Sequence, residues 1–388
     1  MIFDFDKEVN RKGTSSVKWE AYPPFVTPAW VADTDFEVAP AIIERIQKRL
    51  THPVFGYTTD LPALKEAIQK RMFNRFGWKI SDESIVLVPG IVAGVNFAVR
   101  AFRKDGDSVL FQQPAYPPFF TAPANNHAEP IISTMIYNSD SRLYETDFDE
   151  FESKIKDNTS MFILCNPQNP TGRVYSRDEL LKLAEICERH QLTICSDEIH
   201  NEIVYQESKH IPIASLSPEI SRSTITFIAP SKTFNIPGMY CSAAIIEDET
   251  MRNNFQKALA GLSSGVTLLS QEAALAAYTE CDDWLVQNNR YLQENRDFVL
   301  SFIREEIPAV VANDIQATFL SWMDFSAFAG MIDPYEFFLN EAKIAFNNGL
   351  TFGEPYSQFI RLNFGTQRHN LENILTRMAE TLKKFGYI

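Results

Sequence analysis

The chain has 388 residues, 45% of them hydrophobic, and carries 36 Lys and Arg against 50 Asp and Glu for a formal net charge of −14. That is enough apolar material for a large core and more than one domain. The acidity and the lack of any basic block exclude a phosphate-neutralising nucleic-acid binder, and no apolar run approaches the roughly 20 residues of a membrane helix.

In chain order, residues 1–45 read as irregular and rich in Pro and Trp, with Pro40 opening a helix to about Leu50. Their first residues lack the charged-then-apolar pattern of a secretory leader. Phe55-Gly56-Tyr57 sits in a loop, and an amphipathic helix follows over about 61–76. From Ser84 the texture changes to strand–turn–helix units. Strands are expected at 85–88, 108–111, 161–164, 192–195, 224–228 and 241–246, with helices at 91–102 and, behind the capping box Ser176-Arg177-Asp178-Glu179, up to His190. Short apolar runs without alternation, separated by helices, predict a parallel or mixed sheet covered on both faces. Residues 250–306 read as mostly helical, with one long helix at 282–306. Strands at about 316–323 and 358–364 and helices at 333–342 and 369–385 then describe a second, α+β unit. The division is a segment 1–45 that completes the small domain, a large domain at 46–284 and a small domain at 285–388.

The five cysteines, Cys165, Cys187, Cys195, Cys241 and Cys281, are scattered and contain no CxxC pair. Buried free thiols in a reducing, cytoplasmic setting are the expectation, and no metal site is expected. Gly261-Leu262-Ser263-Ser264-Gly265 matches a hydrolase nucleophile pattern, but a helix is expected where that motif requires a strand.

Chemistry-bearing residues fall at strand ends. Lys232 follows the strand 224–228, where a ligand of an α/β sheet gathers, and its amine can condense with an aldehyde and move a proton. Asp197 follows the strand 192–195; a carboxylate there can keep a pyridine nitrogen protonated, or simply cap a turn. Asn169 lies in a proline-bracketed turn after the strand 161–164, and its amide can reach a phenolic oxygen or serve only the turn. Gly90-Ile91-Val92 opens a helix whose free amides suit a phosphate. Tyr116, between prolines, can stack on a ring. In the strand Phe359-Ile360-Arg361-Leu362-Asn363, alternation puts Arg361 and Asn363 opposite Ile360 and Leu362. A substrate carboxylate or a structural anion would suit Arg361. Together this set is what a pyridoxal phosphate enzyme needs to hold its cofactor and an amino acid.

These segments resemble the pyridoxal phosphate-dependent aminotransferase superfamily of fold type I, and within it the MalY/PatB group of cystathionine β-lyases. The resemblance spans nearly the whole chain. It rests on Ser15-Ser16-Val17-Lys18-Trp19, Trp30-Val31-Ala32-Asp33-Thr34-Asp35-Phe36, Phe55-Gly56-Tyr57, Pro89-Gly90-Ile91-Val92, Pro114-Ala115-Tyr116-Pro117-Pro118, and residues 166–174, 196–200, 230–237 and 361–365. It implies an α/β fold with a mostly parallel seven-stranded sheet, a smaller α+β domain and a homodimer. It also implies roles: Lys232 as the Schiff-base lysine and proton shuttle, Asp197 at the pyridine nitrogen, Asn169 and His200 near the ring oxygen, and Tyr116 against the ring. The amides of Ile91 and Val92, with Ser231, would hold the phosphate, reached also by Tyr57 of the neighbouring subunit. Arg361 would bind the substrate carboxylate, with Asn169, Tyr116 and Asp33 beside it. The expected reaction is β-elimination of a thiol from L-cystathionine and related cysteine conjugates; transamination with a 2-oxo acid is the alternative. The chain departs from the pattern at Tyr240, where many members carry a phosphate-binding arginine, at Ala229 in place of a hydroxyl, and at Thr34 and Gln168, where the group usually has methionine and histidine.

Overall fold

The computed structural model describes residues 1–388. Seven strands form one sheet in the order Ile85–Val88, Ser242–Ile245, Thr224–Ile228, Thr193–Asp197, Thr159–Cys165, Ser108–Gln113, Glu129–Thr134. Only Ser242–Ile245 runs antiparallel to its neighbours; the remaining pairs are parallel. Period-2 alternation divides the sheet's side chains between two cores. Val109, Phe111, Met161, Ile163, Cys195, Ile225 and Phe227 pack on Val95, Ala98 and Val99 of helix Ile91–Phe102. Leu110, Phe162, Leu164 and Ile194 pack on Leu180, Leu183 and Ile186 of helix Arg177–Arg189. Both faces are covered, which is why these strands read as unbroken apolar runs.

A second, antiparallel sheet runs Val311–Ala312, Leu320–Asp324, Phe359–Asn363, Asn347–Asn348. Helix Asp282–Glu306 buries Trp284, Leu285, Val299 and Ile303 in one core that includes Phe5 and Phe234 as well as Leu320 and Ile374. The strand expected from 316 begins at Leu320. Residues before it bind elsewhere, the amides of Gln316 and Ala317 to Gly172 O and the amide of Thr318 to Ile203 O, so they belong to the junction with the large sheet. The helix expected at 333–342 is α-helical only over Pro334–Phe337 and continues as a π-turn, Phe338–Ala342. Strand Glu129–Thr134, at the sheet edge, has no counterpart among the strands read from the sequence. All five cysteines are free and buried. No helix is long and apolar enough to cross a membrane.

Candidate active site

Five elements deliver side chains to one place. Strands 159–165, 193–197 and 224–228 end side by side in parallel, so Asn169, Asp197 and Lys232 leave the sheet at the same edge. Helix Ile91–Phe102 starts there behind Gly90, whose φ of +95° is a conformation that favours glycine; a Cβ would also lie 3.4 Å from the Tyr240 ring. Strand Phe359–Asn363 of the small sheet closes the far side with Arg361. The cavity between them is about 570 Å³, and Tyr116, Ser231, His200, Ile91 and Val92 also line it.

Electrostatics follow from burial. Asp197 is 4% exposed and its Oδ1 accepts a single bond from Ile199 N at 3.1 Å. Desolvation lifts its pKa to about 7, against the downward pull of that amide and of Lys232. Desolvation brings the Lys232 amine down to about 8, offset in part by Asp33 and Asp197. His200 is pushed down to about 3, first by burial and then by Lys232 and Arg361, so its imidazole is neutral. Arg361 falls to about 10 through burial and still carries its charge. Its Nη1 donates to Asn169 Oδ1 at 2.9 Å, its Nη2 to Trp30 O at 2.9 Å and to Asn347 Oδ1, and its Nε has no partner. Lys232 Nζ donates to Ala32 O at 2.5 Å.

Two expected site residues do not line this cavity. Asp33 does not line it, and Arg11 grips both its carboxylate oxygens at 2.9 Å. Tyr57 lies in a wholly exposed stretch, 53–60, away from the cavity of its own chain. Gln168 works in its turn, donating to Pro114 O at 2.6 Å and accepting from Thr171. The segment 261–265 sits between helices Glu249–Leu259 and Leu268–Glu280, with no strand before it. Sequence reasoning missed Asn347 and the carbonyls of Trp30 and Ala32. A backbone acceptor leaves no trace in side-chain identity, and Asn347 occupies a two-residue strand with no periodicity to read.

The cavity fits pyridoxal phosphate on its own features. An amine stands across from a buried carboxylate that burial alone leaves poorly satisfied, and a cation at its proper partner would restore its charge. Helix Ile91–Phe102 points its first-turn amides inward, and the unpartnered His200 Nδ1 and Arg361 Nε mark donors and acceptors awaiting a ligand. The fold and this chemistry define a pyridoxal phosphate-dependent enzyme of fold type I.

The family model for aminotransferase class I and II matches residues 31–378. The chain is 39% identical to cystathionine beta-lyase PatB of Bacillus subtilis, over 98% of this chain and 100% of that one. It is 31% identical to Protein MalY of Escherichia coli, over 98% and 99%. Cystalysin from Treponema denticola, solved with pyridoxal 5'-phosphate, superposes with a TM-score of 0.94 at 33% identity, covering 99% of this chain and 100% of its own. The chain belongs to the aminotransferase class I and II family, in the group of PatB and MalY.

Proposed function

We propose that the protein is a carbon–sulfur β-lyase that cleaves L-cystathionine and related cysteine S-conjugates to a thiol (homocysteine from cystathionine), pyruvate and ammonia. The observation that carries this reading is the presence of Lys232, Asp197 and Arg361 around one cavity, in a chain whose relatives of 39% and 30% identity bear the name cystathionine beta-lyase.

Pyridoxal phosphate, when bound, supplies an aldehyde for the substrate amine and a ring that draws electrons from Cα. Asp197, as a carboxylate, holds the positive charge at the ring nitrogen that makes this withdrawal strong. The amides of Ile91 and Val92, with Ser231, would hold the phosphate, Tyr116 and Asn169 would contact the ring, and the neutral His200 would offer a hydrogen bond without adding charge. Arg361 binds the substrate carboxylate with its charge and its remaining N–H donors, Nε among them, and so fixes which Cα bond faces Lys232. The Lys232 amine, with a pKa near 8, is basic enough to take the Cα proton and acidic enough to return one. The Cβ–S bond then breaks with its electron pair on sulfur, which leaves as a thiolate and is protonated; water completes the conversion of the carbon skeleton to pyruvate and ammonia.

The protein works as a homodimer in which Tyr57 reaches the phosphate of the partner's site. Support comes from its position: in one chain Tyr57 stands fully in solvent, beside Phe55, which is 59% exposed. The five buried thiols support a cytoplasmic location. Purified protein incubated with L-cystathionine should release pyruvate and homocysteine without added 2-oxo acid. A strict requirement for a 2-oxo acid would replace this reading with transamination.

A further inference from the structure

Residues 30–36 cross the cavity wall as an irregular strap outside any strand. Its carbonyls are engaged one after another: Trp30 O by Arg361 Nη2 at 2.9 Å, Val31 O by Asn363 Nδ2 at 2.6 Å, Ala32 O by Lys232 Nζ at 2.5 Å. Asp33 O accepts from the same Asn363 amide at 2.6 Å, and Thr34 O from Asn235 Nδ2 at 3.0 Å. The two cations that line the cavity therefore dock on carbonyls two residues apart in one piece of chain. No β-ladder sets where those carbonyls lie.

The strap's far side is held by charge. Arg11 forks onto Asp33, Nη1 to Oδ1 and Nη2 to Oδ2, both at 2.9 Å, and its Nη1 reaches Asp35 Oδ1 at 2.8 Å. Lys18 Nζ meets Asp35 Oδ2 at 2.7 Å and Asp33 O at 3.3 Å, and Trp19 Nε1 donates to Asp35 Oδ1 at 2.9 Å. Lys18 is 1% exposed and Asp35 4%, so that pair is buried, and the half-buried Arg11 and Asp33 complete a cluster of two cations and two anions. Apolar residues of similar volume would serve stability as well or better; what charges add is fixed geometry and a field. An amine that donates one N–H to a fixed carbonyl has its remaining donors and lone pair aimed in defined directions.

We propose that Arg11, Lys18, Asp33 and Asp35 are positioning residues for the reaction, clamping the strap so that the Ala32 and Trp30 carbonyls hold the Lys232 amine and the Arg361 guanidinium at a set separation. This rests on the roles proposed above for Lys232 and Arg361. The cluster also tunes Lys232 electrostatically. The charged groups facing that amine are Asp33 and Asp197, which favour its protonated form, and Arg361, which opposes it; the neutral His200 and the Tyr116 and Tyr240 phenols complete the surroundings. Arg11 neutralises Asp33.

The test uses the full chain in two forms. In cofactor-free protein, the rate of reductive methylation of Lys232, followed by mass spectrometry across pH, reports the fraction of free amine. Arg11→Gln removes the guanidinium from Asp33, leaves it only the Lys18 ammonium at 3.9 Å, and moves the midpoint to higher pH; Asp33→Asn moves it to lower pH; Arg11→Lys stays near the wild type. In the holoenzyme, Arg11→Gln and Asp33→Asn each lower kcat/KM by about tenfold or more, and Arg11→Lys recovers much of it. A cluster that only stabilises the fold would lower the thermal midpoint yet leave the methylation midpoint in place, or shift it in the same direction for both variants; either result overturns the proposal. Because methylation needs no turnover, the answer stands even if the wild-type protein releases no pyruvate.

Discussion

Asp197 is a residue whose burial costs the fold stability at neutral pH. Its proton affinity is raised on folding, so its contribution is fully present below the unfolded value of 3.8 and is lost as pH rises through about 7. The cofactor-free Asp197→Asn variant should therefore lack this loss and melt at a higher temperature than cofactor-free wild type at pH 8, with the gap closing toward pH 4. The same variant should lose about 10²–10³-fold in kcat, since the charge at the ring nitrogen goes with it. Calorimetry and steady-state kinetics on one preparation check both halves. Arg361 makes the complementary case. Its fork already serves Asn169, Trp30 O and Asn347, a planar arrangement an ammonium cannot reproduce. Arg361→Lys should raise KM for L-cystathionine at least about tenfold, an effect read directly from saturation curves. Lys232, Asp197, Asn169 and Arg361 were legible in the sequence because each is a polar side chain at the end of an apolar run or within one. The partner of Asp33 was not legible, because motif position does not say which way a carboxylate turns, and Arg11, 22 residues upstream, binds it.

Helix Ile91–Phe102 is the element on which the proposed phosphate binding depends, and its seat is tight. A Cβ at Gly94 would come within 2.5 Å of the Phe227 ring, which is buried between this helix and the sheet. Gly94→Ala should cost about 1–3 kcal/mol in urea unfolding and weaken cofactor affinity, because the helix start must move outward. The elements easiest to read were the central strands and the capped helices, such as Arg177–Arg189, whose capping box forms as the sequence implied. The edge strand Glu129–Thr134 escaped because it opens Glu-Pro and buries only alternate later residues, so neither an apolar run nor clean alternation marks it. The GxSxG pattern shows the converse: a short motif without its strand carries no chemistry.

At the scale of the whole molecule, the division at residues 45 and 284 cuts two continuous helices, Pro40–Leu50 and Asp282–Glu306. We propose that the chain's two units are better divided just before Pro40, with helix Asp282–Glu306 as a shared spine. Periodicity placed the helices but could not say which core each of them joins. The proposed dimer predicts complementation. Inactive Tyr57→Ala and Lys232→Ala proteins, unfolded, mixed and refolded, should regain activity, because each mixed dimer contains one site with an intact lysine and an intact tyrosine. No recovery, with mixed dimers demonstrated by mass spectrometry, would place Tyr57 outside the partner's site.

The central claim is best tested by measuring pyruvate and free thiol together from L-cystathionine, without 2-oxo acid, for the wild type and for Lys232→Ala. Equal amounts of the two products from the wild type, and neither from the variant above the uncatalysed rate, is the predicted result. Thiol without pyruvate, or undiminished release by the variant, would contradict it.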